Sequence, residues 1–419
     1  MQKDVLRPTL ISLAATAVIL VAAAVFLWKP QASPVAGGRV TPGSYRMVLA
    51  FPVGELPVGL EIAGKDGALT ATLINGSNRV TAERTSLDGD TLKIAFPSYD
   101  AAIALHPQGD GLVGTAHLRR RTGQVDIAAR AEPGRSYRFY PDPTPPPPKL
   151  VGSWPMTLAG PDAEPGLLII RQEGDHIEGS VQYPSGDVRY LAGEASGNEF
   201  ALSTFDGNQG SVWRGRMLPD GTLAGDTFNA TAKEPTTWTA KAGALQFAAV
   251  GEEKPPVDHI TFTFPDADGR PVSLSDPRYK GKVVVVAIGG SWCPNCHDEA
   301  AFLSPYAKRR VAEGLEVIGL SFEYGDDPVR NARQVRRFAQ RYGIGYPLLV
   351  AGAATPEATK RALPGIGGVK IYPTTLFIDR KGKLRAIHTG YAGPATGDLN
   401  QQAVRDFDAL VSKLLAEPA

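Results

Sequence analysis

Cys293 and Cys296 are the only cysteines in this 419-residue chain, and two residues separate them. Spaced so, the two sulfurs can bond within the first turn of a helix, and each can then be released as a thiol. The surrounding string is Ser291-Trp292-Cys293-Pro294-Asn295-Cys296-His297-Asp298-Glu299. Cys293 would lie at the amino end of that helix, where unpaired N–H groups and the helix dipole favour a thiolate. A thiolate attacks disulfides, and Cys296, one turn deeper, can resolve the mixed disulfide that results. Pro294 suits the first turn, where its missing N–H needs no partner. Two cysteines are too few for a disulfide-stapled scaffold or a four-cysteine zinc site.

Such chemistry requires a strand that ends where a helix begins. Residues 283–288 are a continuous apolar, β-branched run, the pattern of a strand buried on both faces. A helix pattern follows over about 294–313, then a strand at 315–320, a basic amphipathic helix at 329–342 and a strand at 346–350. Residues 375–378 and 384–389 flank the turn Asp379-Arg380-Lys381-Gly382, and a last helix covers about 400–415. Helices alternating with strands imply an α/β sheet covered on both faces.

Several separated motifs here resemble the TlpA-like thiol-disulfide oxidoreductases of bacterial envelopes, within the thioredoxin fold and the AhpC/TSA-Redoxin superfamily. They are Lys280-Gly281-Lys282 before the apolar run, Trp292-Cys293-Pro294-Asn295-Cys296, and Tyr372-Pro373-Thr374-Thr375-Leu376-Phe377-Ile378-Asp379. Gly393-Pro394-Ala395-Thr396-Gly397 extends the likeness, which covers 257–419. The resemblance implies a thioredoxin-like domain with a Cys293–Cys296 disulfide in the oxidised state. It implies that Pro373 is a cis-proline facing the cysteines and that Glu299 is an active-site acid. Trp292, Tyr372 and Thr374 become the expected substrate-binding residues. Ile288-Gly289-Gly290-Ser291 departs from the family's usual approach to the motif, and loosens the wall around the site.

The remainder divides at residues 29–43, 141–148 (Pro-Asp-Pro-Thr-Pro-Pro-Pro-Pro) and 251–257. The blocks at 44–140 and 149–250 match one another. Gly43-Ser44-Tyr45 pairs with Gly152-Ser153-Trp154, and Ser98-Tyr99-Asp100 with Thr204-Phe205-Asp206. Both alternate at period two, with Asp88-Gly89, Asp110-Gly111, Asp206-Gly207 and Asp220-Gly221 as hairpin signals. The expectation is a multidomain chain: two tandem antiparallel barrels or sandwiches, then the α/β domain. Neither β block shows a catalytic constellation; His106, His117 and His176 stand alone. Residues 9–28 carry no charge, and twenty residues at 1.5 Å span about 30 Å, so residues 1–30 are expected to be a membrane anchor or a signal sequence.

Lys plus Arg is 44 against 43 for Asp plus Glu, which argues against a nucleic-acid binder. The expected protein is anchored once in the inner (cytoplasmic) membrane with its body on the periplasmic side. It exchanges disulfides with protein partners and uses no cofactor. One CxxC needs recharging, so an external membrane electron donor is expected. Cys293-Pro294-Asn295-Cys296-His297 also satisfies the c-type haem motif, but all four methionines lie upstream and His388 is the only downstream histidine. Two alternatives are a peroxiredoxin-like peroxidase and a redox-silent binding protein served by the β blocks. The first lacks its Pro-x-x-x-Thr-x-x-Cys pattern, with Ala287 and Gly290 in the proline and threonine places.

Overall fold

Period-two alternation places Tyr45, Met47, Leu49 and Phe51 of β1 (Gly43–Phe51) in one interior. The same rule builds β2 (Gly54–Ala63), β3 (Thr70–Asn75), β4 (Asn78–Thr81), β5 (Arg84–Asp88) and β6 (Thr91–Phe96). β7 (Ala101–Gln108), β8 (Gly111–Arg120) and β9 (Gly123–Pro133) complete the first block. The sheet order is β4-β3-β2-β1-β9-β8-β7-β6-β5, an antiparallel meander curled until its last strand meets its first. The computed structural model describes residues 39–65, 68–143, 149–160 and 163–418. The apolar run at 9–28 and most of the proline-rich stretch lie outside these residues. Among the described residues no helix is long and apolar enough to cross a membrane.

The second block repeats the plan strand for strand. Its members are β10 (Gly152–Leu158), β11 (Pro165–Glu173), β12 (His176–Tyr183), β13 (Gly186–Asp187) and β14 (Leu191–Ser196). β15 (Glu199–Phe205), β16 (Gly210–Met217), β17 (Leu223–Asn229) and β18 (Thr236–Ala240) follow. Here β11 pairs β12, β12 pairs β14 and β18 pairs β10, so the sheet closes as a barrel with β13 as an appendage. In the first block the equivalent β3 and β5 are unpaired, and that barrel stays open on one side. Neither block is a sandwich. One hairpin signal is displaced: the left-handed glycine of the β7–β8 turn is Gly109, not Gly111.

The barrels pack on each other. Phe205, Val212 and Phe228 of the second share one apolar core with Leu56, Phe96 and Ile103 of the first. Asn75 and Phe205 exchange two hydrogen bonds, and the buried Arg138 guanidinium reaches the carbonyls of Ala192 and Ser203 at 3.0 Å each.

The last block begins with the hairpin β19 (Thr263–Pro265) and β20 (Pro271–Ser273). Its sheet, ordered β23-β22-β21-β24-β25, contains β21 (Val283–Gly289), β22 (Leu315–Glu323) and β23 (Leu348–Ala353), all parallel. β24 (Thr374–Ile378) and β25 (Leu384–Thr389) run antiparallel on the other side. Both faces of β21 are covered. Val284, Val286 and Ile288 enter one core, and Val283 and Val285 enter another beneath Leu303 and Phe407. The helices are α1 (Pro294–Arg310), α2 (Pro328–Tyr342), α3 (Pro356–Ala362) and α4 (Asp398–Ala416). The first three begin on proline, whose fixed φ suits a first turn. No residue pattern above marks α3 or the β19–β20 hairpin.

Candidate active site

Where β21 stops, Gly289 and Gly290 turn the chain toward α1, because no side chain fits there. A Cβ on Gly289 would lie 3.1 Å from Cys296 Sγ, and one on Gly290 would lie 2.4 Å from the Phe322 carbonyl. The expected looseness is absent; the glycines allow closer packing around the sulfur. The turn is held from beneath by Glu323, fully buried at the end of β22. Its carboxylate accepts from Ser291 N at 2.8 Å, Ser291 Oγ at 2.7 Å and Ser321 Oγ at 2.8 Å. Trp292 donates Nε1 to Phe322 O at 2.9 Å and stacks on Tyr324 at 4.5 Å.

Cys293 is the N-cap of α1: its Sγ accepts from Cys296 N at 3.3 Å. A sulfur in this place faces the helix's unpaired N–H groups, as the sequence predicts. Both cysteines are free thiols and both are buried, at 3% and 4% exposure. Cys293 Sγ also lies 3.5 Å from Tyr372 O. The Tyr372–Pro373 peptide is cis, and Pro373 O accepts from Gly390 N at 2.9 Å. Burial pushes the Cys296 thiol well up, and Cys293 and Glu299 add to the rise.

Glu299 sits one turn after Cys296, buried, and accepts from Thr375 Oγ1 at 2.5 Å. Burial raises its pKa to about 7, against the lowering effect of Thr375. A cavity of about 30 Å³ is lined by Cys296, Glu299, Gly289 and Gly290. That is room for one water between the thiol and the acid.

Thr374 needs a correction. It is buried, and its hydroxyl donates to Ile371 O at 2.8 Å. Its side chain holds the cis-proline loop and offers nothing to a substrate. Trp292 and Tyr372, in edge contact at 5.2 Å, are half-exposed beside Cys293. His297 turns inward instead of toward a ligand: Nε2 donates to Ser291 O at 2.8 Å and Nδ1 accepts from Tyr342 Oη at 2.7 Å. Burial pushes its pKa down to about 3, so the ring is neutral. With both nitrogens used, the haem reading of the motif fails. Among the described residues no group of three or more metal-ligating side chains could hold an ion.

The β blocks reach the motif, although neither carries a catalytic constellation of its own. Asn295 Nδ2 donates to Asp187 Oδ1 of the second barrel at 2.7 Å. Asp298 Oδ1 accepts from Arg189 Nη2 at 2.8 Å, and Arg189 Nη1 reaches Asp206 at 3.0 Å. Tyr99 of the first barrel stacks on His297 at 3.8 Å and donates its hydroxyl to Asp206 at 2.8 Å. Three positions of the motif, Asn295, His297 and Asp298, are thus bound by the barrels. The repeated Tyr99-Asp100 and Phe205-Asp206 pairs were a signal for part of this; nothing in the sequence marked Asp187, Arg189 or Glu323.

Residues 257–387 match the model of the AhpC/TSA family. The thiol-disulfide oxidoreductase ResA of Geobacillus thermodenitrificans is 30% identical over 142 residues, 34% of this chain and 70% of that protein. The thioredoxin-like protein YneN of Bacillus subtilis is 30% identical over 129 residues, 31% of this chain and 68% of that protein. A thioredoxin-family thiol:disulfide interchange protein from Chlorobium tepidum aligns over 39% of this chain and 99% of its own with 27% identity and a TM-score of 0.30. Through residues 257–387 the chain belongs to the AhpC/TSA family, as one of its thioredoxin-like thiol-disulfide oxidoreductases.

Proposed function

We propose that the chain is a membrane-anchored, envelope-facing reductase of protein disulfides that works through Cys293 and Cys296. The observation that carries this reading is Cys293 at the N-cap of α1 with Cys296 and the buried Glu299 behind it. Cys293 thiolate attacks one sulfur of a substrate disulfide, and the other sulfur leaves as a thiolate that takes up a proton. Glu299 accepts the Cys296 proton, by way of water in the shared cavity. The Cys296 thiolate then attacks Cys293 Sγ. The Cys293–Cys296 disulfide forms and the second substrate thiol departs. Tyr372 and the backbone beside Pro373 hold the incoming strand, in the manner of strand addition.

The reducing direction rests on the resemblance to TlpA-like thiol-disulfide oxidoreductases. Burial keeps Cys296 a neutral thiol until its proton is removed, which suits a resolving cysteine in either direction, so the potential of the pair decides. A membrane-bound donor would return two electrons and two protons. The uncharged run at 9–28 is long enough to cross a bilayer and supports the anchor.

Equilibration with glutathione tests the direction. A potential near about −120 mV, that of a strong periplasmic oxidant, reverses it. A Cys296→Ser chain, unable to resolve, should accumulate substrate proteins bound through Cys293. A chain that traps none and reduces no disulfide overturns the function.

A further inference from the structure

The barrels reach the redox site at two places, one beside the cis-proline loop and the other beside Tyr324, which stacks on Trp292. The first is residues 184–189 of the second barrel, which run along the flank of the cis-proline loop. Gly390, whose N–H bonds Pro373 O, is so closely covered that a Cβ would lie 2.4 Å from Pro184 O. A Cβ on Gly186 would lie 3.1 Å from the Asn295 amide, and one on Gly393 would lie 2.9 Å from Asp187 Oδ2. Asp187 and Arg189 bind this arm to Asn295 and Asp298. Arg189 itself adopts a left-handed φ of 62°, so the arm holds a side chain in a conformation that L residues rarely take.

The second place is the β8–β9 hairpin of the first barrel. Arg119 donates to Tyr324 O at 3.5 Å, and Arg121 donates to Ala354 O while its guanidinium lies 5.6 Å from the Tyr324 ring. Tyr324 in turn stacks on Trp292. Between the two contacts, Lys370 and Arg121 are exposed, and Ile371, Tyr372 and Trp292 are partly so. Cys293 lies below them at 3% exposure.

We propose, on the basis of the reductase reading above, that residues 184–189 and the β8–β9 hairpin are substrate-selecting walls of the active site, admitting disulfides carried on a narrow, extended segment and turning away those set in a broad folded face. The β blocks are then part of the enzyme's specificity, not spacers.

The test compares one reactive group on two bodies. In a full-length Cys296→Ser chain, N-ethylmaleimide and a maleimide fixed to the face of a small folded protein are timed against Cys293, relative to the same pair on a cysteine peptide. The small reagent should be favoured at least thirtyfold beyond the peptide's own ratio. Asp187→Ala with Arg189→Ala leaves Asn295 and Asp298 unpaired unless the arm lifts, and should bring the ratio within threefold of the peptide. A peptide-like ratio in the chain with its arm intact overturns the proposal, and that comparison stands even if the double variant does not fold. A folded double variant, checked by circular dichroism, that keeps the discrimination also overturns it. Failure of the underlying reading shows separately, as no reduction of a disulfide-bridged peptide by the unaltered chain, and takes the proposal with it.

Discussion

Asn295, between the two cysteines, donates its side-chain amide to Asp187, which lies 108 positions earlier and in a different domain. The turn that carries the chemistry is therefore held partly by a barrel. Arg189, two residues on, is the cation that makes this arrangement electrostatically tolerable. It touches Asp298 and Asp206, both largely buried. Arg189→Met strands two buried carboxylates, and removing one partner of such a pair costs about 3–5 kcal/mol. Without the cation the Asp298 pKa rises further, because burial already lifts it. The loss should be small near pH 4 and grow as the pH climbs through that raised value. Urea unfolding at pH 5 and pH 8 checks this, and an equal loss at both would contradict it.

Glu299 affects catalysis and stability in opposite senses. Its pKa of about 7 in the fold lies above the usual carboxylate value of 4.5. The folded chain holds that proton more tightly than the unfolded one, so stability is lost as the pH rises from about 4.5 through 7. The shift corresponds to about 3 kcal/mol at pH 8. Glu299→Gln should unfold at higher urea than the parent at pH 8 and match it near pH 4. As the base for Cys296, however, Glu299 must be ionised. Resolution of the mixed disulfide in the parent should quicken through pH 7. In Glu299→Gln that rise should vanish and the rate at neutral pH fall by about a hundredfold. Stopped-flow release of a chromogenic thiol reads both.

Much of this was legible in the residues. The apolar run ending at Ile288 lies in β21, the cysteines sit at the start of α1, and the repeated strand pattern yields two barrels of the same plan. These are local signals: period-two alternation, a buried β-branched run, a proline at a helix start. The contributions of Asp187, Arg189 and Glu323 were not legible because each depends on long-range packing. Glu323 looks like an ordinary polar end to an apolar strand, and only the fold places three donors around it. Thr374 misled for the converse reason. Its position beside Pro373 suggests contact with substrate, but its hydroxyl donates to Ile371 O.

Those three donors make Glu323 sensitive to a change that alters no volume. Glu323→Gln keeps one oxygen for Ser291 N and Ser321 Oγ and turns an NH₂ toward Ser291 Oγ, whose hydroxyl must change from donor to acceptor. Exchanging hydrogen bonds to a carboxylate for bonds to a neutral amide weakens each by about 1 kcal/mol. The Ser291–Trp292 turn should loosen while the barrels stay intact. Trp292 emission and its quenching by acrylamide should report the change, with the thermal midpoint of the β blocks unmoved. Unchanged quenching would show that the carboxylate does not hold the turn.

Gly289 tests the cavity directly. A methyl group there would lie 3.1 Å from Cys296 Sγ and intrude on the about 30 Å³ space shared with Glu299. Overpacking of this kind costs about 1–3 kcal/mol when neighbours cannot yield, and Gly289 is paired with Ser321 of β22 while β24 holds the strand up to Ile288. The consequence should fall on the second half of the reaction. Cys293 remains the N-cap, so its first attack on a small disulfide should change less than threefold in Gly289→Ala. Water that links Cys296 to Glu299 is displaced, so resolution should slow by tenfold or more and mixed disulfide should accumulate, visible by mass spectrometry during turnover. If attack and resolution slow together, the methyl group has moved the whole turn and the cavity has no separate role in proton transfer.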